Sequence, residues 1–331
     1  MASLPGSADN PFQRLIVESS DDPAQLQLRY ETHRATRNDQ QSAKIQAKDF
    51  PGWSIDGILK RLDGPAKEEG FVDPRNCLVI WARPPSHIRD LISCIQSQLR
   101  DIAPCRYCRA ALGQSVILKM KSLTESRTAL WPMPPHNLHT TVLEVAHSLT
   151  EPQIEELVQT LQSSKDVTQA QIAEYPTRHN TRLLKPMLSF DSAALALSFV
   201  PAASEGSTGS AREYGDHYTY HHLRRDIFDM VRQTKVPVAS RYIVPSAHVT
   251  IARFINNEGF LVKGTHGAEE IDHSRVKSLL DRISDINKDL ESRYWPQADG
   301  SCPKEGEWVV GQDKGLVVRK GRLWYGGGED V

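Results

Sequence analysis

Two stretches of this chain place a histidine and a threonine two residues apart within a run of strand-forming residues. They are Leu138-His139-Thr140-Thr141-Val142-Leu143-Glu144-Val145 and Ala247-His248-Val249-Thr250-Ile251-Ala252-Arg253-Phe254. Each follows a proline-marked turn, and we read strands over 138–146 and 247–255. Side chains at i and i+2 of a strand share a face, so His139 is presented with Thr141 and His248 with Thr250. An imidazole can take or give a proton near neutral pH. A hydroxyl can donate a hydrogen bond to an anionic oxygen. Presented twice, the two groups suit acid/base chemistry on a phosphate ester.

The triplet alone carries little weight, because it recurs at His179-Asn180-Thr181 and His217-Tyr218-Thr219. The first lies in a polar, turn-like stretch. The second opens a helix expected from about Asp216 to Gln233, where i and i+2 do not share a face. A lone strand histidine is more often a packed, hydrogen-bonded structural residue. Only the two copies in matched strand contexts make a site.

The elements that must hold these strands can be read around them. Cys77–Ala82 is an apolar run expected as a buried strand, followed by a helix over about His87–Ile102 with Ile88, Leu91, Ile92, Ile95 and Leu99 at helical spacing. A strand is expected over Gln114–Met120, a stiff loop over Leu130–Pro135, and a helix from a Thr150 cap with Pro152 early. Strands follow at Leu183–Phe190 and Ala194–Val200, a Ser/Gly/Ala-rich linker over 202–215, and an amphipathic helix over His273–Ser292. Short strands are expected at Trp308–Val310, Leu316–Val318 and Leu323–Tyr325. Residues 1–70 read as a partly helical N-terminal extension, because Pro23–Lys48 lacks a strong apolar stripe. Ser54 is expected to cap a short helix ending at Leu62. Tyr218, Tyr220, His221 and His222 read as an exposed first helical turn, with base stacking at a groove rim as the functional alternative.

Composition narrows the class. Forty basic against forty-one acidic residues leave a net charge of −1 over 331 residues, so no global basic field marks a bulk nucleic-acid binder. With 39% hydrophobic and 24% charged residues, the chain reads as an ordinary soluble protein. No apolar run approaches the roughly 20 residues of a membrane span, and the first residues lack a signal peptide's basic start and apolar core. The expected location is cytoplasmic or nuclear. Five scattered cysteines, including a single Cys105-Arg106-Tyr107-Cys108, lack the second pair that a zinc site needs, and read as reduced structural thiols.

The two strand-borne motifs resemble those of the two-histidine (2H) phosphoesterase superfamily. His248-Val249-Thr250-Ile251-Ala252-Arg253 is especially similar to the RNA 2′,3′-cyclic phosphodiesterase branch. The resemblance spans about residue 71 to the end. It implies an α+β protein of two lobes, each an antiparallel sheet with flanking helices, related by a pseudo-twofold about a central groove. It further implies a metal-independent, cofactor-free phosphodiesterase with His139 and His248 as general acid and base and Thr141 and Thr250 as phosphate-binding residues. The substrate would be an RNA end or a nucleotide carrying a cyclic phosphate, and the protein a monomer. The same site could serve a 2′,5′-phosphodiester, an RNA 3′ end trimmed by an exonuclease, a cyclic phosphate on ADP-ribose, or a non-catalytic RNA-binding module. Arg253, Tyr242 (with Arg241) and Tyr218 are candidate substrate contacts. Strict alternation turns Arg253 away from His248 and Thr250, and the first copy carries Glu144 at the matching position.

Overall fold

The computed structural model describes residues 10–63, 66–100, 129–206, 216–239, 242–264, 268–325 and 327–331. The strand expected over Gln114–Met120, the Cys105–Cys108 pair, Arg241 and most of the 202–215 linker lie outside the described residues. The fold is mixed α/β around a curled antiparallel sheet. Its strands are β1 (Asn76–Ala82), β2 (Leu130–Pro132), β3 (Thr140–Leu149), β4 (Arg182–Phe190), β5 (Ala194–Pro201), β6 (Ala247–Phe254), β9 (Trp308–Val309), β10 (Leu316–Gly321) and β11 (Glu329–Asp330). A separate two-stranded ribbon joins β7 (Leu261–Lys263) to β8 (Glu269–Ile271). The main order is β11-β10-β1-β3-β6-β5-β4-β9, with β2 also on β6.

Two separate sheets were expected; the strands instead form one sheet. The two motif strands are central neighbours, and β3 meets β6 through a single register pair, Thr140↔Val249. His139 lies immediately before β3 rather than within it. β6 ends at Phe254, one residue short of the expected span.

One face of the sheet is the core. Leu195, Leu197 and Phe199 of β5 and Val249 and Ile251 of β6 are buried there, while the alternate residues Ala194, Ala196, Ser198, His248 and Thr250 line cavities. Helix α4 (Ser86–Arg100) packs with α8 (His273–Tyr294), and both helices present the expected apolar stripes. Helix α5 (Glu151–Gln162) starts at Thr150, in a capping box with Gln153, as its sequence suggests.

Several local readings change. Residues 175–178 belong to a helix, α6 (Gln169–Arg178), which a capping box between Thr168 and Gln171 initiates and which runs through Pro176. The Ser54 cap is replaced by Asp56, whose carboxylate accepts from Ile58 and Leu59 N–H at the start of α3 (Gly57–Leu62). Leu323–Tyr325 is not a strand, because Gly321, at φ 101°, turns the chain off β10. Leu130–Pro132 is a short strand whose Trp131 faces Arg253. The first turn of α7 (Tyr220–Gln233) is buried: Tyr220, His221 and His222 are under 5% exposed.

The N-terminal residues are built into the same core. Helix α2 (Pro23–Gln46) buries Leu26, Gln27, Tyr30, Arg34, Asn38 and Ile45. Polar members of that stripe answer backbone carbonyls: Gln27 donates to Pro201 and Arg34 to Lys185. The Arg34 bond falls where β4 loses register between Leu184 and Met187, with Lys185 at a positive φ and Pro186 without an N–H to offer. Phe12 packs edge-on against Phe228, and Trp53 stacks flat on Phe254 at 3.8 Å. Among the described residues, no helix is long and apolar enough to cross a membrane. Replacing Trp53 with Ala is expected to lower unfolding free energy by about 3–5 kcal/mol. Denaturant melts check this, and a change within about 0.5 kcal/mol, typical of a surface site, would contradict the packing.

Candidate active site

Thr140 and Val249 are buried at the β3–β6 seam. Extending their register by one residue each way sets His139 opposite Thr250 and Thr141 opposite His248. Each histidine therefore lies across from the threonine of the other motif. Cβ atoms of directly opposed residues sit about 4.5–5.5 Å apart, and diagonal residues are separated by up to about 7–8 Å. All four side chains line one cavity of about 330 Å³.

That cavity also receives Glu144 and Arg253, which alternation would turn away. The cause is a β-bulge in each motif strand. Ile80 faces Leu143 but Trp81 faces Thr141, so Val142 is an extra residue in β3. Leu195 faces Ala252 but Ala196 faces Thr250, so Ile251 is an extra residue in β6. Each extra residue returns the fifth position after the histidine to the histidine's face. The carbonyls of the two extra residues are both bonded, one by side chain alone and one also by the residue that follows β2. Arg224 Nε donates to Val142 O at 3.1 Å; Gln96 Nε2 and Met133 N–H each donate to Ile251 O at 2.8 Å.

The two imidazoles have different partners. His139 Nδ1 is 2.6 Å from Asn137 O. A carbonyl only accepts, so Nδ1 carries the proton and Nε2 of the neutral ring is bare. The ring stacks on Trp81 at 3.6 Å between centroids. His248 Nδ1 faces two hydroxyls, Tyr242 Oη at 2.6 Å and Ser246 Oγ at 3.0 Å. Burial pushes the Tyr242 phenol up to about 12, so it keeps its proton at neutral pH. Either hydroxyl can donate to Nδ1 or accept from it, and His248 can hold a proton on Nε2. Arg224, fully buried, donates to Tyr242 O and Val244 O and so anchors the segment bearing Tyr242.

Burial is also the leading electrostatic effect. Desolvation, assisted by Arg83, His248 and Arg319 and opposed by the bond to Asn137, lowers His139 to about 3. Desolvation, assisted by Arg224 and Arg253, lowers His248 to about 4. The guanidinium of Arg253 lies 5.6 Å from the Trp324 ring centre, and its Nε has no hydrogen-bond partner among the described residues. The remaining wall is apolar: Cys77, Val79, Trp81, Met133, Leu323 and Trp324.

Of the residues singled out from sequence, the structure brings together His139, Thr141, Tyr242, His248, Thr250 and Arg253. It places Tyr218 elsewhere. Its hydroxyl donates to the buried Asp226, which also receives Tyr175, and its ring sits near His179. Tyr218 therefore does not line the cavity, and the other two His-x-Thr copies are framework. His179 ends α6, and Thr219 caps α7 with His222 as its capping-box partner. Sequence reading missed Glu144, Trp81 and Trp324. The apolar doublets Val142-Leu143 and Ile251-Ala252, which break alternation in both motifs, were the available signal for the bulges. Among the described residues, no group of three or more His, Cys, Asp or Glu side chains is placed to hold a metal ion.

No family model matches the chain, and no curated protein matches it. A solved structure, a conserved protein of unknown function from Agrobacterium tumefaciens, aligns over 84% of this chain and 98% of its own at 10% identity, with a TM-score of 0.40.

The lowered histidines set a direction for acid stability. Unfolded histidine titrates near 6.5, so below that pH the unfolded chain binds protons that folded His139 and His248 refuse. Their contribution is fully present above pH 6.5 and is lost as pH falls toward about 4 and then about 3. Stability measured by denaturant is expected to decline steadily between pH 6.5 and 4. Histidine NMR titration should give both ring midpoints well below 6; a midpoint near 6.5 for either ring contradicts the buried geometry.

Proposed function

We propose that this protein is a metal-independent phosphodiesterase. It cleaves a 2′,3′-cyclic phosphate, or a related phosphodiester, on RNA or a small nucleotide. The observation that carries the reading is the convergence of both histidines and both threonines on one cavity, each histidine across the strand seam from the other motif's threonine. Their asymmetric Nδ1 partners supply distinct roles. His139, held with a bare Nε2, takes the proton from attacking water. His248, charged on Nε2 with its Nδ1–H donated to Tyr242 or Ser246, gives a proton to the departing ribose oxygen. Water's oxygen bonds to phosphorus as the bond to the ribose oxygen breaks. Thr141 and Thr250 donate to the non-bridging oxygens, and Arg253 supplies positive charge beside them.

The halves of the sheet that meet at the Thr140–Val249 pair, β11-β10-β1-β3 and β6-β5-β4-β9 with β2, read as the two lobes of a pseudo-twofold, each giving one His, one Thr and a bulge after them. A 2′,5′-phosphodiester or an RNA 3′ end would meet the same acid and base. The lobes enclose the site within one chain, and the proposal needs no second subunit.

Turnover of a short RNA ending in a 2′,3′-cyclic phosphate, measured in EDTA, tests the reading. His139→Ala and His248→Ala should each lower kcat at least about a hundredfold, since positioned acid–base groups contribute roughly 10²–10⁴. Full activity in either variant removes that residue from the mechanism. Turnover abolished by EDTA and restored by a divalent ion would contradict the metal-free scheme.

The pH profile supplies an independent check. In the free protein His248 is protonated only on the acid side, near 4, so kcat/KM should fall as pH rises through 5 and 6. A bound phosphate anion favours the charged imidazole, so kcat should begin its fall at a higher pH than kcat/KM. Coincident profiles would mean that the phosphate does not face His248.

A further inference from the structure

A second cavity of about 600 Å³ adjoins the first and shares Tyr242, His248, Thr250 and Arg253 with it. His139 lines only the first, whereas His248 lines both. The floor of the second cavity is small side chains, Ala194, Ala196 and Ser198 of β5, and its far wall is helix α2, with His33, Arg34, Arg37 and Asn38. This wall comes from the N-terminal residues, which lie outside the part of the chain resembling 2H phosphoesterases.

The lining mixes apolar side chains, Phe190, Val244 and the alanines, with polar groups held in place. Asn38 is 8% exposed, and its amide oxygen has no hydrogen-bond partner among the described residues, although its nitrogen reaches Leu188 O. Arg34 is fixed by Lys185 O. Arg37 is exposed at the mouth and forms no ion pair among the described residues. The acid in the lining, Asp191, accepts the N–H groups of Ala193 and Ala194 on one oxygen, and its charge favours protonated His248. Such a trench offers a cation, amide and hydroxyl groups, and shallow small-residue space, which suits a sugar and an adjoining phosphate. Its volume falls within the roughly 300–1,000 Å³ of small-molecule sites.

Building on the phosphodiesterase reading, we infer that this trench is a leaving-group subsite in which α2 holds the ribose and 5′-phosphate attached to the oxygen that His248 protonates. In an in-line displacement the leaving group lies on the side of the acid, and His248 is the histidine facing the trench. The substrate is then an RNA end of at least two nucleotides rather than a nucleoside 2′,3′-cyclic phosphate, which has no 5′-phosphate for α2 to hold.

The test compares kcat/KM on uridine 2′,3′-cyclic phosphate with that on a dinucleotide ending in the same cyclic phosphate. Wild type should prefer the dinucleotide at least tenfold. Arg37→Gln, at an exposed position, and Ala196→Leu, which fills the floor, should each bring the ratio toward one. A wild-type ratio near one, or a ratio unmoved in both variants, overturns the subsite. If wild type turns over neither compound, the phosphodiesterase reading fails, and binding decides the trench by itself. Fluorescence-detected binding of a labelled dinucleotide that weakens in both variants supports it; binding that is absent, or equal in wild type and variants, overturns it.

Discussion

An extra residue in a strand frees a backbone carbonyl that must find a partner elsewhere, and this chain contains such a residue on both sides of its seam. The carbonyl of Val142 is taken by Arg224 and that of Ile251 by Gln96 and Met133. Because those partners exist, β3 and β6 can each depart from alternation at the point where Glu144 and Arg253 return to the cavity. Arg224 also binds the segment that presents Tyr242 to His248. Among the described residues, this buried guanidinium has no carboxylate partner to offset its charge. Its five donors and planar fork nevertheless satisfy several backbone acceptors at once, so one side chain supports the bulge and the imidazole's neighbour together.

The cavity sets desolvation against function. The same burial that strips both imidazoles of water also removes competing solvent from any anion placed between them, where fixed donors act more strongly than in water. Trp81 contributes to both effects, forming cavity wall while covering the His139 ring. The pair is also chemically unequal despite its matched backbone. One Nδ1 faces an acceptor that cannot change role, and the other faces hydroxyls that can.

Much of this was legible in the residues, for reasons that also explain what was not. His139, Thr141, His248 and Thr250 could be paired because period-two alternation holds across each triplet. Arg253 could not be placed, because alternation fails two residues later, and a bulge is a relation between strands rather than a property of one. The helix over Pro23–Gln46 was underread for a different reason. Its inward stripe includes Gln27, Arg34 and Asn38, which answer carbonyls of an irregular strand, so an apolar count misses it. Tyr218 and its neighbours were misjudged because their polar atoms suggested exposure. In the fold those atoms are spent on Asp226, Asp21 and the α7 cap. His221 likewise bonds Tyr30 and the Phe12 carbonyl, partners about two hundred residues away.

That reach has a consequence for how the chain is made. Phe12, Tyr30 and Trp53 find their ring partners at Phe228, His221 and Phe254. These three residues thus have their packing partners among residues synthesised much later. The seat of helix α2 does not exist until β4 and β5 are complete. Contacts of such sequence separation slow folding and leave apolar surface open in the interval. The polar character of α2 suits that wait: a helix whose inward face carries Gln, Arg and Asn is less prone to aggregate while nascent than one lined with leucine.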